Sequence, residues 1–196
     1  MRKITLSLAF TFLCAGAACA QDMPYYSRYY FSMGAGAAIP VGGHWGDGSV
    51  GFTAAPSVSL AGAKKVDDIL SYGVETGYSF GHENRDVSAI GLRIFSLTPF
   101  LRVASESSGR TYYGILGCGL YHWTQPEFNS SGKDFDSDSG SSFGFNLGGG
   151  TILPLRGAWK LGLELRWHHI VNMKGDRFDV DIANNLLPAV LLIHGF

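Results

Sequence analysis

Residues Trp159 to Val171 read WKLGLELRWHHIV. Trp159, Leu161, Leu163, Leu165, Trp167, His169 and Val171 fall on one phase; Lys160, Gly162, Glu164, Arg166, His168 and Ile170 fall on the other. Successive side chains of a strand point to opposite faces, so this period-two alternation predicts a strand lying between two different surroundings. The apolar phase is long and has an aromatic near each end. That suits hydrocarbon flanked by two interfaces better than the core of a soluble sheet.

The pattern recurs along the chain. Strands are predicted at Arg28–Val41, Gly51–Ala63, Ile69–Gly81, Ser88–Val103, Thr111–Trp123, Ser141–Leu153 and Asn185–Phe196, which with the opening stretch makes eight. Pro56 is awkward within a strand and suggests a bulge. In the fourth strand Ile90, Leu92 and Ile94 share a phase that slips near Phe95 and Ser96, as one extra residue would cause. Both phases of the fifth strand are apolar or glycine, so its facing stays open.

No run of eighteen apolar residues follows the leader, so lipid would have to be crossed by strands. Open strand edges cannot be satisfied in lipid, which leaves a closed barrel. The expected fold is therefore all-β, an eight-stranded antiparallel up-and-down transmembrane β-barrel. Connections at Lys64–Asp68, Ala104–Arg110 and Pro154–Ala158 are tight. Those at Gly42–Val50, His82–Val87, Thr124–Gly140 and Asn172–Asn184 are mostly longer and polar. Short periplasmic turns and long outer loops are usual in such barrels, which puts both chain ends on the periplasmic side. Tyr29, Tyr72, Tyr112, Trp159 and Phe196 then form one aromatic girdle, and Phe52, Tyr78, Phe80, Phe143 and Trp167 the other. A soluble ligand-binding barrel would turn its apolar face inward; here the inward phase reads as serine, glycine and charge.

Residues 1–20 read as a secretory signal, with Arg2 and Lys3 before an apolar run from Ile4 to Leu13 and small residues Ala18-Cys19-Ala20 ahead of Gln21. That run is too short to span about 30 Å of hydrocarbon. Gly16 stands where a lipobox would place leucine, which argues against an anchor at Cys19. Residues 21–196 are the expected barrel domain, exported through the periplasm to the outer membrane of a Gram-negative bacterium. The whole chain has 15 Lys and Arg against 16 Asp and Glu, so nothing marks a nucleic-acid partner. With Cys14 and Cys19 in the leader, Cys118 has no partner for a disulfide, and its expected place is a small buried strand position.

The mature chain resembles the small eight-stranded outer-membrane barrels of the OmpX and OmpA transmembrane-domain type. The likeness rests on the leader, the alternating strands, FGFNLGGGTILPL at Phe143–Leu155, and the terminal Phe196. Phe196 is similar to the assembly signal that barrel-assembly machinery reads, although His194 stands where a bulky apolar residue is usual. The resemblance implies contact with outer-membrane lipid and lipopolysaccharide. It covers adhesins, structural barrels, small channels and enzymes, so it leaves function open.

Three sets of residues are candidates for chemistry. Glu75, Arg93, Glu164, Arg166 and His168 all fall on the inward phase. Charges inside so narrow a barrel should pair, giving either a structural ion-pair network or, as OmpA-type resemblance implies, a gate. Asp134, Asp136 and Asp138 are candidate cation contacts in the longest loop, but the glycine and closing glutamate of a calcium loop are out of place, which favours a solvated acidic loop. RWHHIVN resembles the active-site strand of outer-membrane lipid A deacylases: His169 and Asn172 match, and Val171 occupies the nucleophilic serine's place. Valine cannot attack an ester. His44, His82 and His122 lack metal-ligand spacing, and neither a metal nor a cofactor is expected. The expected role is non-catalytic: structural, or surface interaction with an extracellular partner through outer loops. The alternatives are a small porin-like conduit gated by lumen charges and a degenerate deacylase-like barrel.

Overall fold

The computed structural model describes residues 29–87, 89–130, 132–176 and 179–195. Phe196 and the leader lie outside them. Ten strands follow in order: β1 (Tyr29–Pro40), β2 (Ala55–Lys65), β3 (Leu70–Glu83), β4 (Gly91–Ser107), β5 (Arg110–Gln125), β6 (Phe128–Ser130), β7 (Lys133–Phe135), β8 (Asp138–Pro154), β9 (Trp159–Lys174) and β10 (Asp179–Gly195). Eight of them close an antiparallel barrel in the ring order β1-β10-β9-β8-β5-β4-β3-β2. Strands β6 and β7 form a separate hairpin within the β5–β8 connection. The tight connections and both described chain ends share one rim, as the alternation of loop lengths predicts.

Alternation holds along the barrel. Leu60, Leu101, Leu116, Leu147 and Leu165 are among many outward apolar residues that stand about half exposed, a continuous band that only hydrocarbon would cover. Tyr29, Tyr72, Tyr112 and Trp159 are exposed at the short-turn rim, and Phe80 and Phe143 are exposed toward the other end.

Several strand expectations require correction. Strand β4 alternates without a break, burying Leu92, Ile94, Ser96, Thr98, Phe100 and Arg102, so there is no bulge at Phe95–Ser96. The irregularity lies in β3 between Ser79 and His82, where Gly81 takes φ 113°. That is a conformation glycine reaches without a Cβ clash. Pro56 causes no bulge: it faces outward near the start of β2, opposite Ala37. Phe52 precedes β2 and is buried rather than in a girdle, its ring stacked on Trp45 at 4.5 Å. Strands β9 and β10 extend to Lys174 and from Asp179, consuming most of the expected last loop. Cys118 is exposed on the outward face, not buried.

The interior has three layers, and two are apolar. Toward the long-loop end, Trp45, Phe52, Leu92, Ile94, Tyr121, Trp123, Ile170 and Met173 form a buried cluster. Trp45 has no exposed surface, and its indole N–H donates to Asn185 Oδ1 at 2.9 Å. Toward the other end, Phe100, Tyr113, Ile115, Ile152, Leu191 and Ile193 form a second cluster. The polar inward phase read from sequence describes only the middle layer.

Candidate functional site

The middle layer is a belt of charge. Alternation turns Glu75 inward from β3, Arg102 from β4, and Glu164 and Arg166 from β9. Arg166 Nη1 donates to Glu75 Oε1 at 2.5 Å and Nη2 to Oε2 at 3.2 Å. The same Nη2 reaches Glu164 Oε1 at 2.6 Å. The other oxygen of Glu164 accepts from the Tyr113 hydroxyl at 2.8 Å and lies 3.9 Å from Arg102 Nη2. Two guanidinium groups thus face two carboxylates, and the belt is neutral. Removing such charges from water is costly, and mutual pairing with added hydrogen bonds offsets that cost.

Glycine makes room for these long side chains. A Cβ on Gly148 would lie 3.0 Å from Arg166 Cγ, and one on Gly150 would lie 2.7 Å from the Tyr113 hydroxyl oxygen. Gly148 and Gly150, in the NLGGGT run of β8, are therefore the wall on which the belt rests.

Above the belt, the Tyr121 hydroxyl and His168 Nδ1 are 2.9 Å apart. Between the belt and the small side chains of β1, β2 and β3 lies a cavity of about 50 Å³. Its lining includes Gly34, Ser57, Ser59 and Ser79 beside Glu75 and Arg166. This volume holds a few waters and no larger solute.

The structure brings Glu75, Glu164 and Arg166 together, with His168 hydrogen-bonded in the layer above. Arg93 is not part of the group: it is exposed on the outward face of β4, opposite Thr124. Arg102 takes its place. The signal for Arg102 was present in sequence, since it lies on the opposite phase from Leu101 and Val103. Asp134 accepts from Asn129 Nδ2 at 2.7 Å and braces the β6–β7 hairpin. Among the described residues, no group of three His, Cys, Asp or Glu side chains could hold a metal ion, so Asp134, Asp136 and Asp138 do not gather into a cation site. Lys174 pairs with Asp179 and Asp181 at 3.4 and 3.1 Å. His169 faces outward, hydrogen-bonded to Asn184 at 2.7 Å and packed against the Phe145 ring at 4.8 Å, with Val171 two residues on along the same face.

Residues 10–183 match the outer membrane protein beta-barrel domain. The chain belongs to that family. Membership places it in the outer membrane, so the exposed apolar band faces lipid. None of the curated proteins matches the chain. Among solved structures, the family fold recurs in Neisserial surface protein A, at 14% identity over 85% of this chain and 96% of that one, with a TM-score of 0.59. A major outer membrane protein of Thermus thermophilus matches at 13% identity over 86% and 99%, with a TM-score of 0.52. Ail, the attachment invasion locus protein of Yersinia pestis, matches at 15% identity over 87% and 99%, with a TM-score of 0.50. At these identities the likeness is one of fold.

Proposed function

We propose that this barrel acts without catalysis, as a structural or surface-interaction protein that works through its outer loops. The observation that carries the reading is the closure of the interior at the long-loop end by Trp45, Phe52, Trp123 and Met173. Below that closure the neutral belt crosses the lumen. What remains accessible from outside is loop, above all the β6–β7 hairpin, whose Phe128 and Phe135 rings stack at 4.7 Å. The absence of a nucleophile at Val171 supports a non-catalytic role for the His169 strand. The same reading includes leader cleavage after Ala20, recognition of Phe196 by barrel-assembly machinery, contact with lipopolysaccharide, and an extracellular partner.

The second reading is a small conduit gated by the belt. The 50 Å³ cavity beside Glu75 and Arg166 favours it; the aromatic closure above opposes it.

Single-channel recording of refolded protein in a planar bilayer separates the two. Electrical silence, with the gel-mobility shift of a folded barrel, supports the first reading. Discrete openings altered by Glu75→Gln would transfer support to the second. Cells displaying a variant with residues 126–137 replaced by a Gly-Ser linker then divide the first reading. Loss of surface adhesion points to interaction, and unchanged adhesion with an intact membrane phenotype points to structure.

A further inference from the structure

Among the described residues, aromatic closure is found at the long-loop end of the barrel. At the short-turn rim a cavity of about 430 Å³ runs inward as far as Arg102, within the size range of small-molecule sites. Leu70, Ala104, Ile152 and Ile193 supply its apolar walls. Arg102 is 4% exposed, yet it donates no side-chain hydrogen bond among the described residues, and its Nε is buried without a partner there. Its nearest carboxylate oxygen, on Glu164, is 3.9 Å away and already accepts from Tyr113. Aromatic rings hold the guanidinium in place instead: its carbon lies 4.3 Å from the Tyr113 ring centre and 5.2 Å from that of Tyr30. Tyr30 is in turn fixed by a 3.1 Å hydrogen bond between its hydroxyl and Ser71.

A buried guanidinium with unused N–H groups at the floor of an apolar cup is built to receive a planar two-oxygen anion. Asp67, Asp68 and Glu106 stand beside Lys65 and Lys160 at the mouth, so the rim carries both signs of charge, and Arg102 supplies the positive charge at the floor. The geometry points to a binding site for a small amphiphilic carboxylate, entered from the periplasm, with its head on Arg102 and its apolar body against Ile152 and Ile193. The site is separate from the outer loops and does not depend on their role.

The test uses the mature protein refolded in lipid nanodiscs, with the isoleucine methyl groups labelled for NMR. The probe is 4-ethylbenzoate, and 4-ethylbenzamide is its neutral isostere. Saturable shifts at Ile152 and Ile193 are expected, at least tenfold weaker for the amide. Arg102→Met should weaken benzoate binding at least tenfold, and Arg102→Lys, which keeps the charge and loses the fork, by a smaller factor. Ala104→Trp fills the cup without touching the charges, should abolish binding, and decides the matter if Arg102→Met fails to fold. Equal binding of acid and amide, shifts that do not saturate, or binding that survives Ala104→Trp would each overturn the proposal.

Discussion

Glu75 and Arg166 stand on opposite walls of the barrel, four places apart in the eight-strand ring, and meet through two hydrogen bonds of 2.5 and 3.2 Å. No local spacing joins them: 91 residues separate them in the chain. Their meeting depends on closure of the ring, and it ties β3 to β9 through the lumen as well as around the wall.

The pair should therefore be energetically coupled. Arg166→Met leaves Glu75 and Glu164 buried with their main partner gone, at an expected cost of about 3–5 kcal/mol. Glu75→Gln combined with Arg166→Met should cost less than the sum of the single changes, with a coupling of about 0.5–3 kcal/mol. Urea unfolding of the four proteins in lipid measures both quantities. Additive single effects would show that the two side chains do not depend on each other. Arg93→Met, on the outward face, should stay within about 0.5 kcal/mol of the parent.

The glycines of β8 should be position-specific. A Cβ at Gly150 falls on the Tyr113 hydroxyl and on β9 backbone, so Gly150→Ala must displace the Tyr113–Glu164 hydrogen bond or widen the strand pair. A loss of about 1–3 kcal/mol is expected. Gly62 faces outward with nothing within 4 Å of its would-be Cβ, and Gly62→Ala should be neutral or slightly stabilising. Heat-modifiability on gels ranks the two variants directly. Equal tolerance at both positions would contradict the packing described.

Strand β9 was legible because its inward side chains cross the charged belt while its outward ones meet lipid, which gives strong hydropathy contrast. Strand β4 was not, because Leu92 and Ile94 enter an apolar layer inside the barrel and look, residue by residue, like lipid-facing positions. The false bulge and the misplacement of Arg93 follow from that one ambiguity. Phe52 misled for a similar reason: an aromatic near a rim serves a girdle or a lumen closure equally well, and only its stacking on Trp45 distinguishes them. Arg102 had the right phase, but its aromatic cage draws on β1, β4 and β5, a grouping that only the closed ring creates.

Acid should loosen the β2–β3 turn. The Asp67 carboxylate accepts from the backbone N–H of Leu70 at 2.6 Å and of Ile69 at 2.8 Å, and these bonds hold its pKa below the ordinary carboxylate value of 3.8. A depressed folded-state value means that the stabilisation is present above the ordinary value and is lost as pH falls through the folded one. Asp67→Ala should thus lower the melting temperature at neutral pH, and the difference from the parent should shrink as pH falls below the ordinary carboxylate value of 3.8. A difference independent of pH would show that the carboxylate charge plays no part in the turn.

Cys118 offers the most direct reading of the barrel's outer surface. It lies mid-strand on β5, facing outward between Leu116 and Leu120, which are 54% and 56% exposed. In a chain beginning at Gln21 it is the sole cysteine, so a nitroxide attached there reports one depth. Its relaxation should respond to dissolved oxygen far more than to a water-soluble nickel chelate, because hydrocarbon concentrates the first and excludes the second. A greater response to nickel would place this face of β5 in water and overturn the lipid-facing assignment. Cys118→Arg should cost about 2–4 kcal/mol if the residue sits near the bilayer midplane, against near-neutrality for Cys118→Leu. Because both substitutions leave the lumen untouched, the contrast between them isolates the contribution of the surrounding lipid.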